Sequence, residues 1–475
     1  MHKPKALQHL AALMLPLALA ACTLAPRYER PAAPVEDTWP SGAAYSAAQA
    51  DEVLAANIPW REFIKDDKLR QVIDQAIANN RDLRSTLANI QSARAQYRIQ
   101  RADLLPRING DISANRAKNV NTFGGNSTPV ETEVYTASVG LSAFEIDLFG
   151  RVRSLSNAAL ESFLATEQAG RATRISLIAE TASAYLTLAA DNSQLVLSRR
   201  TLESAQRTME VTRKRLEAGV ASRLDVRQAE TIYQQARADL ASTTALIAQD
   251  RNALELLAGS RIPDALLPGE LPTDHQWLAS VPSGLSSSVL LDRPDVLQAE
   301  HQLKSANANI GAARAAFFPS LSLTASTGLA STELSDLFSD GASIWSVAPS
   351  LVLPIFNGGA NVANLAYAKA QRDLYVSQYE LAIQTAFREV ADALAIRGTI
   401  QEQLDAQAAL VDAAADSYQL AEARYSKGVD SFLNALDAQR TLYNAEKSLV
   451  SARLTESDNV VTLYRVLGGG LAGTE

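Results

Sequence analysis

The sequence of 475 residues contains one cysteine, so no disulfide bond can form within the chain. The net charge is −8, which argues against DNA or another nucleic acid as a partner. After residue 21, no run reaches the ~18 apolar residues that a membrane-spanning helix needs. Two later histidines, His275 and His301, lack metal-ligand spacing, and no convincing set of Ser, His and Asp can be assembled. We therefore expect no enzyme activity and no bound metal.

Proline and aromatic residues are scarce where long helices are expected. No proline occurs between Val130 and Ile262 or after Pro354, and aromatic residues make up only 6% of the chain. Over residues 151–216 only Gly170 interrupts the helical pattern, and such a run spans about 100 Å at a rise of ~1.5 Å per residue. Helices of this length are not stable alone in water, so we expect them to pack into a bundle or cylinder.

The amino terminus has the features of a bacterial lipoprotein signal. A basic start precedes an apolar run over residues 7–21, which predicts a secretory signal peptide of residues 1–21. The run ends in Leu19-Ala20-Ala21-Cys22, which resembles a lipobox, so we expect a covalent lipid on Cys22 and no other cofactor. Thr23 follows where aspartate would signal inner-membrane retention, which favours the outer membrane. An ordinary signal peptide with an unmodified cysteine is the alternative.

Prolines divide the remaining chain into segments. Residues 22–58 contain four prolines, which predict a lipidated, extended tether over residues 22–61, and four further prolines mark a linker over residues 263–285. The segments 62–262 and 286–470 are then predicted to be two repeats of one unit, followed by a tail of residues 471–475.

The two repeats align over most of their length. Residues 81–106 match residues 294–319 at a constant offset, and the offset changes slightly further along the chain, as differences in loop length would produce. Matching pairs include Ala93 with Ala306, Arg101 with Arg314, Phe149 with Phe356, Glu180 with Glu389, and Gly219 with Gly428.

One short stretch lies between the long helices of each repeat. The first copy is Gly219-Val220-Ala221-Ser222 and the second is Gly428-Val429-Asp430-Ser431. Glycine can adopt the left-handed conformation that ends a helix, and serine three residues later is a good N-cap for the next helix. Each copy therefore predicts the tight tip of a long αα-hairpin.

Four runs of about ten residues alternate apolar residues with small polar ones, which is typical of outer-membrane strands. They cover residues 108–115, 135–143, 320–329 and 345–353. Polar loops over residues 118–132 and 331–343 are expected to join the strands in pairs. A soluble sandwich is the alternative, although four strands are few for a chain of this length.

Four strands cannot close a barrel, and an open sheet edge is not tolerated in lipid. Since the smallest closed barrel has about eight strands, we expect an oligomer in which each chain contributes four. Two chains would give a plugged barrel, and three chains leave room for an open pore.

Several motifs taken together resemble the outer membrane factors of tripartite efflux pumps, the TolC family, and most closely its OprM-like lipoprotein branch. They are residues 22–31, Trp60-Arg61-Glu62-Phe63, Asn80-Arg81-Asp82-Leu83, residues 97–102, the two tips, residues 436–440 and residues 467–470. The resemblance thus extends from about residue 22 to residue 470.

The resemblance implies an α+β membrane protein that assembles as a homotrimer. Twelve strands would form a β-barrel in the outer membrane, in contact with its lipid and continued by a long periplasmic α-helical barrel. The implied function is a passive duct for drugs and other small molecules. The helix tips would dock a periplasmic adaptor protein fed by an inner-membrane transporter of the resistance–nodulation–division class. The docking positions are Gly219, Val220, Ser222, Gly428, Val429 and Ser431.

Leu433 and Asp437 are the candidate periplasmic gate. They are four residues apart on a predicted helix and therefore share one face. The first repeat has Leu224 and Gln228 at the matching positions, so the carboxylate occurs in one repeat only. The resemblance places Leu433 and Asp437 at the constriction of the entrance. An ordinary solvated aspartate on a helix is the alternative.

Two other functions remain open at this point. The chain could be the exit duct of a type I protein secretion system, although the lipobox and the OprM-like motifs favour drug efflux. It could also be an envelope lipoprotein that uses its long helices as a structural spacer, but the four alternating strands argue against that role.

Overall fold

The computed structural model describes residues 23–45, 58–123, 126–273, 277–279, 286–339 and 341–469. In chain order, its helices and strands are α1 Trp60–Phe63, α2 Asp67–Asn79, α3 Arg81–Ala102, β1 Ile108–Phe123, β2 Asn126–Ile146, α4 Arg151–Glu217, α5 Arg223–Ala258, α6 Pro294–Ala315, β3 Ser320–Ser331, β4 Ser343–Val352, α7 Ala360–Ser426 and α8 Phe432–Val466. The chain is thus mostly helical, with the predicted order of helix, two strands, long helix, tip and long helix occurring twice.

The two longest helices, α4 and α7, have 67 residues each. Gly170, the one residue that interrupts the helical pattern of the sequence, lies within α4 and does not end it. Neither helix contains proline, so no backbone N–H is missing from the hydrogen-bond ladder. No helix in the described part of the chain combines the length and hydropathy needed to cross a membrane.

The four strands form one antiparallel sheet in the order β1-β2-β3-β4. Apolar residues lie in register across it, and one row consists of Ile108, Leu141, Ala325 and Val347. Because side chains alternate between the two faces of a strand, these rows give the sheet one apolar face. Strands β1 and β4 are its two edges, and each pairs with one neighbour within the described chain.

The prediction of a polar loop over residues 118–132 is wrong, because β1 and β2 both continue through this segment. Glu131 on β2 pairs with Arg116 and Lys118 on β1, each at 3.3 Å. Opposite charges on neighbouring strands stabilise a sheet without any apolar alternation. The alternation rule detects only the part of a strand that has an apolar face, so it missed the polar extension.

The chain forms two compact units. As far as their residues are described, unit 1 comprises Met1–Ala32, Ile90–Thr166 and Gln298–Tyr379 and contains the sheet. Unit 2 comprises Ala33–Asn89, Glu167–Leu297 and Glu380–Glu475 and contains both helix tips. Each unit includes residues of both predicted repeats, so the units and the repeats have different boundaries.

In unit 2, aromatic packing fixes α1 against α8. The rings of Phe63 and Tyr464 stack with their centroids 3.9 Å apart, and both side chains are buried. The Tyr464 hydroxyl donates a hydrogen bond to the carbonyl oxygen of Ile58 at 2.7 Å. The segment that opens the folded part of unit 2 is therefore held by the last helix of the chain.

Two buried polar side chains of unit 2 make the same kind of contact at corresponding positions of the predicted repeats. Asn80, directly before α3, donates through Nδ2 to the carbonyl oxygen of Leu257 at 2.9 Å. Arg293, directly before α6, donates through Nη1 to the carbonyl oxygen of Val466 at 2.9 Å. Each side chain binds a carbonyl in the last turn of the repeat's final helix, α5 or α8, where carbonyls lack helical partners.

The stability of unit 2 depends on pH through the carboxyl group of Asp250 on α5. Burial, followed by a hydrogen bond and charge repulsion from Asp191 on α4, raises the pKa of Asp250 to about 7. An unfolded aspartate has a pKa of about 3.9, so the folded chain binds more protons between these two values. The contribution of this site to stability is therefore greatest below about pH 4 and falls as the pH rises to about 7.

We expect the Asp250→Asn variant to raise the midpoint of thermal unfolding at about pH 8 and to leave it unchanged at about pH 4. The amide removes the charge but keeps hydrogen-bonding capacity toward Asp191. Thermal unfolding at both pH values checks this, with Asp412→Asn, an exposed position on α7, as the control. A stabilisation of equal size at both pH values would contradict the titration of Asp250.

Candidate functional site: the helix tips

The first tip reverses the chain between α4 and α5. Gly219 has a φ of +75°, in the left-handed region where a side chain is strained. The N–H of Val220 donates to the carbonyl oxygen of Arg215 at 2.8 Å, and the N–H of Gly219 donates to that of Leu216 at 2.9 Å. These two bonds form the Schellman motif that satisfies carbonyls at a helix end.

The second tip, between α7 and α8, repeats this geometry. Gly428 has a φ of +72°, and the N–H of Val429 donates to the carbonyl oxygen of Arg424 at 2.9 Å. The predicted role of both glycines as helix terminators is therefore confirmed. Val220 and Val429, which follow them, are 65% and 62% exposed, so each tip presents an apolar side chain to its surroundings.

The two serines differ in how they begin the next helix. Ser222 is an N-cap whose hydroxyl accepts from the N–H of Asp225 at 3.1 Å, while the Asp225 carboxylate accepts from the N–H of Ser222 at 2.8 Å. This is a capping box. Ser431 occupies the N-cap position, but its side chain makes no capping bond. The third helical residue there is Asn434, so the reciprocal carboxylate of a capping box is missing.

Two arginines, Arg215 and Arg424, make contacts that stabilise the tips. The sequence alone did not predict this role. Arg424 forms a two-point ion pair with Asp430 across the second tip, with N–O distances of 2.5 and 3.0 Å. This contact lowers the pKa of Asp430. Arg215 stands at the matching position of the first tip, where Ala221 replaces the aspartate. The matching arginines were a signal visible in the aligned repeats.

Arg215 instead connects the first hairpin to the second. Its guanidinium lies 4.5 Å from the centre of the Tyr425 ring, and Nη1 donates to the Tyr425 carbonyl oxygen at 3.1 Å. Phe432 and Leu436 of α8 pack with Ala229 of α5 in a buried cluster nearby. A cavity of about 430 Å³ lies beside these contacts, between the ends of α4 and α7 and the start of α8.

The candidate gate residues lie on a neighbouring face of α8, about 100° around the helix from the cluster residues Phe432 and Leu436. Leu433 is 46% exposed, and Asp437 is also exposed, whereas Phe432 and Leu436 are buried. Asp437 and Arg440 are 3.9 Å apart and both largely exposed, so this ion pair holds Asp437 only weakly. The structure thus brings Leu433 and Asp437 together on one exposed face within a single chain.

Two remaining expectations concern chemistry at other places. Cys22, the expected lipidation site, lies outside the described residues. Among the residues that the structure describes, no group of three or more His, Cys, Asp or Glu side chains is arranged to hold a metal ion.

Comparison with known proteins identifies the family. Residues 72–260 and 285–469 match the family described as outer membrane efflux protein. The chain belongs to this family. Its similarity therefore covers both helix tips, the sheet and the long helices, and the efflux assignment expected from the motifs is confirmed, together with the outer-membrane location.

Two relatives and one solved structure show how far the similarity extends. The chain is 49% identical to the antibiotic efflux pump outer membrane protein ArpC of Pseudomonas putida and 48% identical to the toluene efflux pump outer membrane protein TtgC of the same species. Each match covers 95% of this chain and 93% of the relative. The open state of the Neisseria gonorrhoeae MtrE outer membrane channel matches with a TM-score of 0.85 and 39% identity, over 95% of this chain and 99% of that one.

Proposed function

We propose that this outer membrane efflux protein is the exit duct of a tripartite multidrug pump, formed by three copies of the chain. The observation that carries the proposal is the four-stranded sheet, which has one apolar face and two edges that stay open within the described chain. An open edge leaves backbone N–H and C=O groups without partners in lipid. Pairing β4 of one copy with β1 of the next satisfies them and closes a twelve-stranded barrel.

Exposed apolar side chains on α7 support the same assembly. Tyr367, Leu374 and Leu381 are 66%, 47% and 61% exposed and recur every seven residues. Side chains at this spacing form one stripe along a helix, which favours helix-on-helix packing. In a trimer, neighbouring copies would cover the stripe and build the predicted periplasmic α-helical barrel from both repeats of each chain.

The relatives suggest which compounds pass through the duct. Their names refer to antibiotics and toluene, so we propose small apolar and amphipathic compounds as the transported class. The relatives are named as pump components, and the alternative of a protein secretion duct is therefore not favoured. An inner-membrane transporter of the resistance–nodulation–division class would supply the energy, and a periplasmic adaptor would connect it to the tips.

Deleting the gene tests the proposed transport function. We expect increased susceptibility to several unrelated classes of antibiotics and to solvents, restored by a plasmid copy of the full chain. If susceptibility were unchanged and a secreted protein were missing from the medium, the duct would serve protein secretion and not drug efflux.

Docking at the tips is tested by crosslinking in intact cells. We expect photo-reactive groups at Ser222 or Ser431 to capture a periplasmic adaptor, identified by mass spectrometry, because both tips expose a valine next to the turn. Ser335, an exposed residue between β3 and β4, is the control and should not capture it. If Ser335 captured the adaptor and neither tip did, the segment between β3 and β4 and not the tips would face the adaptor, contrary to the proposal.

A further inference from the structure

The described chain begins with a strap, residues 23–30, that is fixed to unit 1 by side chains of α6. Asn307 donates through Nδ2 to the carbonyl oxygen of Pro26 at 2.8 Å, and Arg314 donates through Nη1 to that of Leu24 at 3.1 Å. Glu300, whose side chain is only 3% exposed, accepts two hydrogen bonds from Arg30 at 3.0 and 2.8 Å. The strap is therefore held along its whole length.

Two glycines set the position of the strap's first residues. A Cβ at Gly150 would lie 2.9 Å from Cα of Thr23, and a Cβ at Gly311 would lie 2.7 Å from the backbone nitrogen of Ala25. Thr23 also exchanges a hydrogen bond of 2.7 Å with the hydroxyl of Ser154 in the first turn of α4. The backbone of Thr23 is thus pressed against the turn between β2 and α4, which only a residue without a side chain allows.

An apolar groove opens at the same turn. It has a volume of about 370 Å³ and is lined by the ends of β2, β3 and β4 and, mainly, by the segments that connect these strands to the helices. The rings of Phe149 and Phe318 stack in its wall with centroids 4.8 Å apart, and Ile146, Leu148 and Val352 are among the other apolar residues that line it. This volume lies within the ~300–1,000 Å³ of sites that take one small organic group.

The polar residues of the groove are already paired. Arg151 donates through Nε to Glu145 at 2.9 Å, and both residues line the groove. Asp147, the other charged residue of the lining, accepts from Nε of Arg153 at 3.2 Å, so each charge of the groove has a partner of opposite sign and none is left to select an ionic ligand. Its chemistry fits a hydrocarbon chain that enters past a polar rim.

We propose that one acyl chain carried by Cys22 occupies this groove. The inference rests on the lipidation of Cys22 that the lipobox-like sequence predicts. Thr23, the residue that follows Cys22 in the chain, lies against Gly150, which stands between two groove residues, Phe149 and Arg151. The contacts of the strap would therefore hold the lipid on Cys22 near the ends of the strands, and the remaining acyl chains would enter the bilayer.

Photo-crosslinking through the lipid tests this inference on the full chain. Cells are grown with a fatty acid that carries a diazirine, the trimeric protein is purified and irradiated, and crosslinked peptides are identified by mass spectrometry. We expect the acylated Cys22 peptide to be joined to peptides containing Leu148 and Phe149 or Phe318. The Leu148→Asp variant should lose most of this product, because it places a charge in the groove.

The matched control is Leu334→Asp, which changes an exposed leucine between β3 and β4, away from the groove, and should keep the wild-type yield. Acylated Cys22 joined chiefly to other peptides would overturn the groove assignment while leaving lipidation intact. An unmodified Cys22 would overturn both. A groove peptide joined to free phospholipid, equally in a Cys22→Ala variant, would also overturn the inference. Drug susceptibility of the same strains reports separately on efflux.

Discussion

Channels of the Leu433→Ala, Asp437→Ala double variant are expected to conduct several times more current in planar bilayers than wild-type channels. Both side chains are exposed on α8, directly after the second tip, while Phe432 and Leu436 on a neighbouring face pack against α5. A threefold axis would bring three copies of this exposed face together. Leucines there would exclude water from the entrance, and replacing them with alanine removes the largest apolar groups.

The same variant should admit large antibiotics, such as vancomycin, that the intact outer membrane excludes. The control is Leu224→Ala with Gln228→Ala at the matching positions of the first tip, since Leu224 is also exposed. We expect this control to retain wild-type conductance. Both variants must first be shown to be trimeric by native mass. If the double variant at Leu433 and Asp437 is trimeric but keeps the wild-type conductance and still excludes large antibiotics, these two residues do not form the gate.

Local signals in the sequence were sufficient to predict where the helices end at both tips. Gly219 and Gly428 take the left-handed φ that their position after a long helix indicated, because helix termination depends on a few neighbouring residues. The arginine contact that joins the two tips depends instead on residues that are far apart in the sequence. Arg215 reaches Tyr425 only because two hairpins far apart in sequence lie side by side, and no local pattern reports that.

The strands show the same division between local and distant causes. Alternation identified the apolar parts of all four strands, since the period of two is visible in the sequence itself. It ended too early at residue 115, because the outer part of β1 is held by charges whose partners are defined by the register with β2. Similarly, the prolines of residues 22–61 indicated an extended tether but not the contacts of its strap with Asn307 and Arg314.

Arg293 is expected to be the most sensitive single position of unit 2. Its side chain is 8% exposed and binds Asp295 at 2.7 Å, Glu389 at 2.8 Å and the carbonyl oxygen of Val466 at 2.9 Å. One planar guanidinium with five N–H donors serves all three acceptors. Removing it leaves a half-buried carboxylate and a helix-end carbonyl without their donor, and breaking such a buried pair costs roughly 3–5 kcal/mol.

We therefore expect the Arg293→Ala variant to unfold at a much lower denaturant concentration than the wild type. Arg293→Lys should recover only part of the loss, because an ammonium group cannot reach three acceptors in the directions that the guanidinium does. Arg388→Ala is the matched control, since this arginine neighbours Glu389 but is exposed, and its removal should change the free energy of unfolding by no more than about 0.5 kcal/mol. Equal stabilities for the Arg293→Ala and Arg388→Ala variants, measured by denaturant titration of the purified proteins, would show that the buried contacts of Arg293 contribute nothing to the fold. If only the Arg293→Ala variant loses stability and Arg293→Lys recovers part of it, both the positive charge of Arg293 and the number of its hydrogen bonds contribute to the free energy of unfolding.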